Sequence, residues 1–283
     1  MIGYAPGGAR LESAVLAAAP ERIGRVASVV GLGVEVSGLE GAVGDLVAIG
    51  ESRAETAAQV VAARPGLLTC MVLSGSVAHP IGTPVRSAPT VPVGEALLGR
   101  VIDGLGRPID GKGPLAPTEH VGLANTAPNP LERARITSPL QLGVRALDTL
   151  VSTGRGQRLG LFAGSGVGKS SLLSMIARGT DAEVSVIALI GERGREVREF
   201  IEDDLGAEGL ARSIVVVSTS DEPALMRLRA SLVATRIAEW HRDRGQHAVL
   251  MMDSLTRVAM AQCEIGLSAS WSSSSSASAC STP

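Results

Sequence analysis

Residues 163–170 read Ala-Gly-Ser-Gly-Val-Gly-Lys-Ser, and this stretch decides the fold. It fits the phosphate-binding pattern G-x-x-x-x-G-K-[ST], with alanine at the first position. Glycines at 164, 166 and 168 let the backbone curl until successive N–H groups point inward, and the following helix presents its positive end to an anion. The apolar run Leu159–Ala163 precedes the loop. We therefore predict a strand, a phosphate-binding loop and a helix, in that order.

The residue types in this loop suit a nucleotide. Lys169 can reach the β- and γ-phosphates of ATP, and the Ser170 hydroxyl can ligate Mg²⁺. Lys169 is also one of only two lysines among 26 basic residues, which fits a position that requires an ammonium group. The alternative is a glycine-rich loop that only turns a strand into a helix. The predicted nucleotide-binding residues are Gly164, Ser165, Gly166, Val167, Gly168, Lys169, Ser170 and Ser171.

Strand-like and helix-like runs alternate from about residue 136. The apolar runs are Val184–Ile190, Ile214–Thr219 and Ala248–Met252. The runs with helical periodicity are Lys169–Arg178, Arg195–Leu205 and Pro223–Arg242. Strands separated by helices of this length form right-handed βαβ units, so the sequence predicts an α/β fold with a parallel sheet.

Charged residues follow two of these strands. Asp253 ends the run at 248–252, where an aspartate beside a phosphate-binding loop can hold a Mg²⁺ water, although many strands end in Asp as a turn or cap. Glu192 follows the run at 184–190 and is a candidate general base for the attacking water. Arg193 could bond a phosphate oxygen or orient Glu192. A charged, solvated loop that starts a helix is the alternative for this pair.

The first third of the chain has a different pattern. Short apolar runs with glycine turns between residues 20 and 90 indicate a small β-sandwich or barrel. We assign residues 1–90 to this domain, 91–135 to a Pro/Gly-rich connection, 136–267 to the α/β core and 268–283 to a Ser-rich tail. The tail has little to bury, so its composition predicts disorder.

Bulk composition excludes several classes of protein. The formal net charge is −2 and aromatic residues make up 2%, which argues against nucleic-acid binding. Three cysteines, Cys70, Cys263 and Cys280, are far apart and suit neither a disulfide framework nor a zinc site. We see neither a secretory signal pattern nor a run of ~18 uncharged apolar residues, so we expect a cytoplasmic protein.

With these motifs in place, the chain resembles the flagellar and type III secretion export ATPases, which are relatives of the rotary ATP synthase catalytic subunit. The resemblance covers about residues 20–267. Besides the loop at 160–170, the matching stretches are 98–101 (Leu-Gly-Arg-Val), 106–111 (Gly-Arg-Pro-Ile-Asp-Gly), 133–136 (Arg-Ala-Arg-Ile), 191–200 (Gly-Glu-Arg-Gly-Arg-Glu-Val-Arg-Glu-Phe), 220–225 (Ser-Asp-Glu-Pro-Ala-Leu), 253–257 (Asp-Ser-Leu-Thr-Arg) and 264–267 (Glu-Ile-Gly-Leu).

The resemblance implies an N-terminal β-barrel followed by a RecA-like ATPase core that uses ATP and Mg²⁺. In the family, the carboxylate that matches Glu192 is the catalytic base. The resemblance also implies a homohexamer that works with export-apparatus proteins and exported substrates at the cytoplasmic face of the membrane, with peripheral membrane association possible.

The chain also departs from the family pattern. Cys263 stands where arginine is typical, Val258 where phenylalanine is typical, and residues 268–283 match no family sequence. Family members continue past the segment that matches Leu267 with further core strands, an arginine finger and a C-terminal helical domain. A C-terminally truncated, catalytically impaired nucleotide-binding fragment or pseudogene product is therefore an alternative to an active ATPase. A rotary ATP synthase subunit is a second alternative, and an RNA-translocating hexamer a weaker third.

Overall fold

A computed structural model describes residues 22–31, 33–50, 55–73, 79–88, 91–116, 118–123, 125, 127, 129–164 and 167–277. The chain divides into two compact units, Met1–Ala88 and Pro89–Pro283. None of the described helices is both long and apolar enough to cross a bilayer.

The first unit is a closed six-stranded antiparallel barrel in the order β1-β2-β5-β4-β3-β6. Its strands are β1 Gly24–Val30, β2 Gly33–Ser37, β3 Leu46–Ile49, β4 Thr56–Arg64, β5 Leu67–Val72 and β6 Pro84–Ser87. Alternate side chains point inward, so residues such as Val34, Val36 and Cys70 form one apolar core. Burial raises the pKa of the Cys70 thiol to about 11, which keeps it protonated. Of the two architectures that the sequence allows, the barrel is the one that forms.

The second unit is built on a four-stranded parallel sheet in the order β14-β12-β13-β8. Its strands are β8 Val101–Asp103, β12 Val184–Glu192, β13 Ser213–Thr219 and β14 Ala248–Asp253. Two small antiparallel pairs flank it: β7 Val91–Val93 with β9 Glu119–Val121, and β10 Pro139–Leu140 with β11 Thr153–Gly154. The strands expected at 184–190, 214–219 and 248–252 are confirmed, as is the parallel sheet.

Helices cover both faces of this sheet. They are α1 Arg145–Leu150, α2 Lys169–Gly179, α3 Gly194–Glu199, α4 Gly206–Ala211, α5 Ala224–Asp243 and α6 Leu255–Ala277, with a π-helical turn at Phe200–Leu205 between α3 and α4. Short 3₁₀ turns lie at Glu95–Leu97 and Pro130–Glu132.

The central strand β12 separates two apolar cores. Val186, Ala188 and Ile190 pack with α5 on one face, while Ile187 and Leu189 pack with α2 and the π-helical turn on the other. A parallel strand that is covered on both faces has a continuous apolar sequence, and this pattern predicted β12 from the sequence.

The segment before the loop differs from its prediction. Residues 159–163 form no strand, and the side chain of Phe162 is 99% exposed. Within the described residues β14 pairs only with β12, so its other edge has no ladder partner. An apolar run becomes a strand only when its backbone groups find such a partner, and this pairing is absent here.

Helix α6 extends into the Ser-rich segment. It continues to Ala277, past the start of the segment for which composition predicts disorder. An established helix adds further residues at low cost, and composition alone does not register this effect. Residues 278–283 lie outside the described part of the chain.

Two glycines fix how the loop helix meets α1. Gly143, just before α1, has φ 74°, and Gly179 ends α2. A Cβ at Gly143 would lie 2.4 Å from the Gly179 Cα atom, closer than atoms can approach. The absence of a side chain at Gly143 is therefore required for α2 to reach its position.

We predict that Gly143→Ala destabilises the second unit more than Gly156→Ala. Both glycines have positive φ, which costs alanine about 1–2 kcal/mol, but a Cβ at Gly156 would meet nothing within 4 Å. The overlap at Gly143 should add about 1–3 kcal/mol. Urea unfolding of both variants measures the difference, and equal losses would show that the close approach is unimportant.

Candidate functional site

The loop helix α2 starts with an exposed, positively polarised end. Gly168 precedes it with φ 92°, a left-handed conformation that glycine adopts without strain. Its first turn contains no acidic residue to occupy the free N–H groups. These N–H groups and the helix dipole therefore remain available to an anion.

Lys169, the first residue of α2, contacts the last residue of β14. Its ammonium Nζ donates to the Oδ1 atom of Asp253. The Asp253 side chain is only 5% exposed and that of Lys169 is 30% exposed. A nearly buried carboxylate is costly without a cation, so this pair ties the start of α2 to the carboxyl end of the sheet.

Glu192 ends the neighbouring strand β12. Its backbone carbonyl accepts a hydrogen bond from the Ser220 N–H at 3.1 Å, which ties it to the turn after β13. Its side chain is 19% exposed. Burial, then the charge of Asp253, raises the pKa of Glu192, with a smaller rise from a hydrogen bond with Glu196, while the charges of Arg257 and Lys169 lower it. The cluster therefore gathers two carboxylates and two cations at one edge of the sheet.

Arg257 is the member of this cluster to which sequence reasoning gave no role. One of its guanidinium nitrogens lies 3.7 Å from the Oε2 atom of Glu192. It lies four positions after Asp253 and is the third residue of α6. The available signal was its place in the stretch 253–257, because the first turn of a helix that directly follows a strand lies near the end of that strand.

Arg193 does not take the position expected for orienting Glu192. It is exposed, precedes α3, and its Nη1 atom pairs with the Oε1 atom of Glu196 at 3.5 Å. Together the two side chains close a capping arrangement at the start of α3. Its exposed guanidinium remains accessible to a phosphate group, and its role stays a prediction.

The other predicted nucleotide contacts surround the start of α2. Gly164, Val167, Ser170 and Ser171 are exposed, and Ser165 and Gly166 lie outside the described residues. Beside them lies a cavity of about 320 Å³ lined mainly by apolar side chains, including Leu147, Leu161 and Leu172. Apart from Lys169 its lining offers no charged side chain, so phosphate oxygens would find their donors at the loop.

The oxygen donors present fit magnesium better than a softer metal. No group of three or more His, Cys, Asp or Glu side chains converges among the described residues. The nearly buried Asp253 carboxylate and the Ser170 hydroxyl are hard oxygen donors. Mg²⁺ is commonly held by one or two such groups together with water and substrate phosphates, so these residues would hold it with a nucleotide.

Comparison with known proteins identifies relatives that are named as ATPases and ATP synthases. The ATP synthase alpha/beta family, nucleotide-binding domain, matches residues 143–277. The flagellum-specific ATP synthase of Bacillus subtilis is 50% identical over 259 residues, which span 88% of this chain and 58% of that protein. The type 3 secretion system ATPase of Xanthomonas euvesicatoria is 59% identical over 179 residues, 63% of this chain and 40% of that protein.

A solved structure agrees with the sequence matches. The assembled ATPase EscN, in complex with its central stalk EscO from the enteropathogenic E. coli type III secretion system, superposes with a TM-score of 0.78 and 39% identity. The superposition covers 87% of this chain and 61% of that one. The chain thus spans less than two thirds of the length of these relatives.

We predict that Glu192→Gln raises the free energy of unfolding at pH 7. A carboxyl whose pKa is raised by folding favours the folded state below its unfolded pKa, and this contribution is lost as the pH rises through the folded pKa. Glutamine stays neutral at every pH, so the variant does not lose this stability as the pH rises. The difference in free energy of unfolding between the variant and the unsubstituted chain should therefore shrink toward pH 4. Urea unfolding at both pH values measures it, with the exposed Glu199→Gln as control. An equal gain in the free energy of unfolding at both pH values would contradict a raised pKa for Glu192.

Proposed function

The chain belongs to the family of the flagellum-specific ATP synthases and type 3 secretion system ATPases, and from this premise we propose that it binds and hydrolyses Mg-ATP. We further propose that it does so as a subunit of a hexameric motor that energises flagellar or type III protein export. The observation that carries the proposal is the meeting of Lys169, Asp253 and Glu192 at one edge of the parallel sheet.

Phosphate binding would use the start of α2. The free N–H groups there can receive an anion, Lys169 is the first residue of the helix, and no acidic side chain in the first turn opposes binding. The bound phosphate would compete with Asp253 for Lys169, because both are anions at one cation. Separation of that pair frees the Asp253 carboxylate, which with Ser170 would hold Mg²⁺. Bound Mg²⁺ would neutralise phosphate charge.

Water activation would use Glu192. Its carboxylate lies at the end of β12, beside the edge at which Lys169 receives phosphate, and it is partly shielded from solvent. A raised pKa makes its ionised form a stronger base, so it can accept the proton of a water that attacks the terminal phosphorus, while the bond from that phosphorus to the β–γ bridging oxygen breaks and ADP leaves. Arg193, exposed at the same rim, would stabilise the charge on the phosphate oxygens.

The assembly is proposed from the relatives. The EscN structures are described as an assembled ATPase, one of them in complex with a central stalk. We infer by analogy a homohexamer that contacts export-apparatus proteins and exported substrates at the cytoplasmic face of the inner membrane. No role for nucleic acid is proposed, since the composition does not support one.

A second candidate is a chain that binds nucleotide with little turnover. It is favoured by one observation, that residues 159–163 before the loop form no strand against the edge of β14 that has no ladder partner in the described part of the chain. A loop that is less firmly anchored would position the phosphates less well for reaction. A rotary ATP synthase subunit has no comparable observation in its favour.

Two substitutions separate binding from hydrolysis. We expect Lys169→Ala to abolish nucleotide binding, because it removes the only lysine at the site. We expect Glu192→Gln to retain binding and to lower kcat by about 10²–10⁴-fold, the usual contribution of a general base. Binding is read from the rise in Tm with Mg-ATP, and hydrolysis from released phosphate.

Lys112→Ala is the matched control. Lys112 is the other lysine of the chain, and its Nζ atom donates to the Gly99 carbonyl away from the site, so this variant should bind and hydrolyse normally. Loss of binding in both the Lys169 and Glu192 variants would refute the role of Glu192. Binding without any Glu192-dependent turnover would favour the second candidate.

A further inference from the structure

Arg257 and Glu192 form an ion pair that the proposed chemistry does not yet use. The separation of 3.7 Å between guanidinium nitrogen and Oε2 is longer than a hydrogen bond, so the attraction is electrostatic. The Arg257 side chain is 43% exposed, whereas that of Glu192 is largely shielded. The guanidinium therefore approaches the carboxylate from the open side of the site.

The backbone beside Glu192 is shaped to admit this arginine. Gly191 has φ 72°, and a Cβ placed on it would lie 3.0 Å from Cδ, 3.2 Å from Cβ and 3.4 Å from Cγ of Arg257. Any side chain at 191 would push the arginine away from the strand. Gly191 and Glu192 are the last two residues of β12. Gly191 leaves room for the Arg257 side chain, and Glu192 supplies the negative charge that attracts it.

The other charged groups around Glu192 have partners of their own or repel it. Asp253 repels the Glu192 carboxylate and Lys169 attracts it, but the Lys169 ammonium is engaged by Asp253. Arg193, which precedes α3, pairs with Glu196 instead. Among the described residues, Arg257 is the cation recorded in an ion pair with Glu192.

We propose that Arg257 is a positioning residue for Glu192: its guanidinium holds the carboxylate toward α6, in the orientation from which it accepts the proton of the attacking water. The proposal rests on the proposed function, in which Glu192 is the general base. It does not require Arg257 to touch the nucleotide. Its effect on turnover must therefore depend on the carboxylate at 192.

Hydrolysis kinetics test this dependence. We expect Arg257→Gln to lower kcat roughly 10- to 100-fold, the scale expected for a misplaced catalytic group, with KM changed much less. Arg257→Lys should recover part of kcat, because it restores the positive charge. In a Glu192→Gln background, Arg257→Gln should cause no further loss in single-turnover hydrolysis. Arg198→Gln, which removes an exposed ion pair with Glu202 on the neighbouring helix, should leave kcat unchanged.

Two results would overturn the proposal. One is an unchanged kcat in Arg257→Gln. The other is an equal loss with and without the carboxylate at 192, which would mean that Arg257 acts directly on the nucleotide.

A failure of the proposed function gives a different result. The unsubstituted chain and Glu192→Gln would then hydrolyse ATP at the same rate, and a stability cycle tests the ion pair on which the positioning role depends. Urea midpoints are measured for Glu192→Gln, Arg257→Gln and the double variant. We expect the two single shifts not to add, because each substitution removes the same ion pair. Additive shifts would overturn the proposal without reference to activity.

Discussion

The contact between the Lys169 ammonium and the Asp253 carboxylate is the constraint on which the second unit depends. It joins the first residue of the loop helix to the last residue of a sheet strand, at an end of β14 that is nearly closed to solvent. Removal of Lys169 would leave the nearly buried Asp253 carboxylate without this cation. The position of α2, and so the direction in which its N–H groups point, is set by this pair and by the glycine contact with α1.

The same edge of the sheet concentrates charges of both signs. Asp253 and Glu192 end neighbouring strands and repel each other, and Lys169 and Arg257 compensate them from different helices. Such an arrangement suits a ligand that carries several negative charges together with a divalent cation, because both kinds of charge find a partner already in place. Burial and the charge of Asp253 raise the pKa of Glu192, while the charges of Arg257 and Lys169 limit that rise.

Sequence alone predicts the parts of this unit whose signal is local. The continuous apolar runs gave β12, β13 and β14, and the glycine pattern with its lysine gave the start of α2. Asp253 was found because it ends such a run. Nothing local marks Val101–Asp103, inside a Pro/Gly-rich stretch, as a strand that pairs with β13, because that pairing joins residues more than a hundred positions apart. The strand prediction for residues 159–163 was wrong for the opposite reason: the composition of this run favours a strand, but its backbone pairs with no neighbouring strand. Sequence reasoning missed the contact of Arg257 with Glu192, because that contact uses the space left by Gly191, more than sixty positions earlier in the chain.

A crystal structure of this chain with Mg²⁺ and a non-hydrolysable ATP analogue is the most direct test of the central claim. The account predicts phosphates against the N–H groups at the start of α2, with the Lys169 ammonium moved from Asp253 to a phosphate oxygen and Asp253 facing the metal ion. Phosphates bound away from Lys169, or a Lys169–Asp253 contact unchanged by the nucleotide, would contradict it.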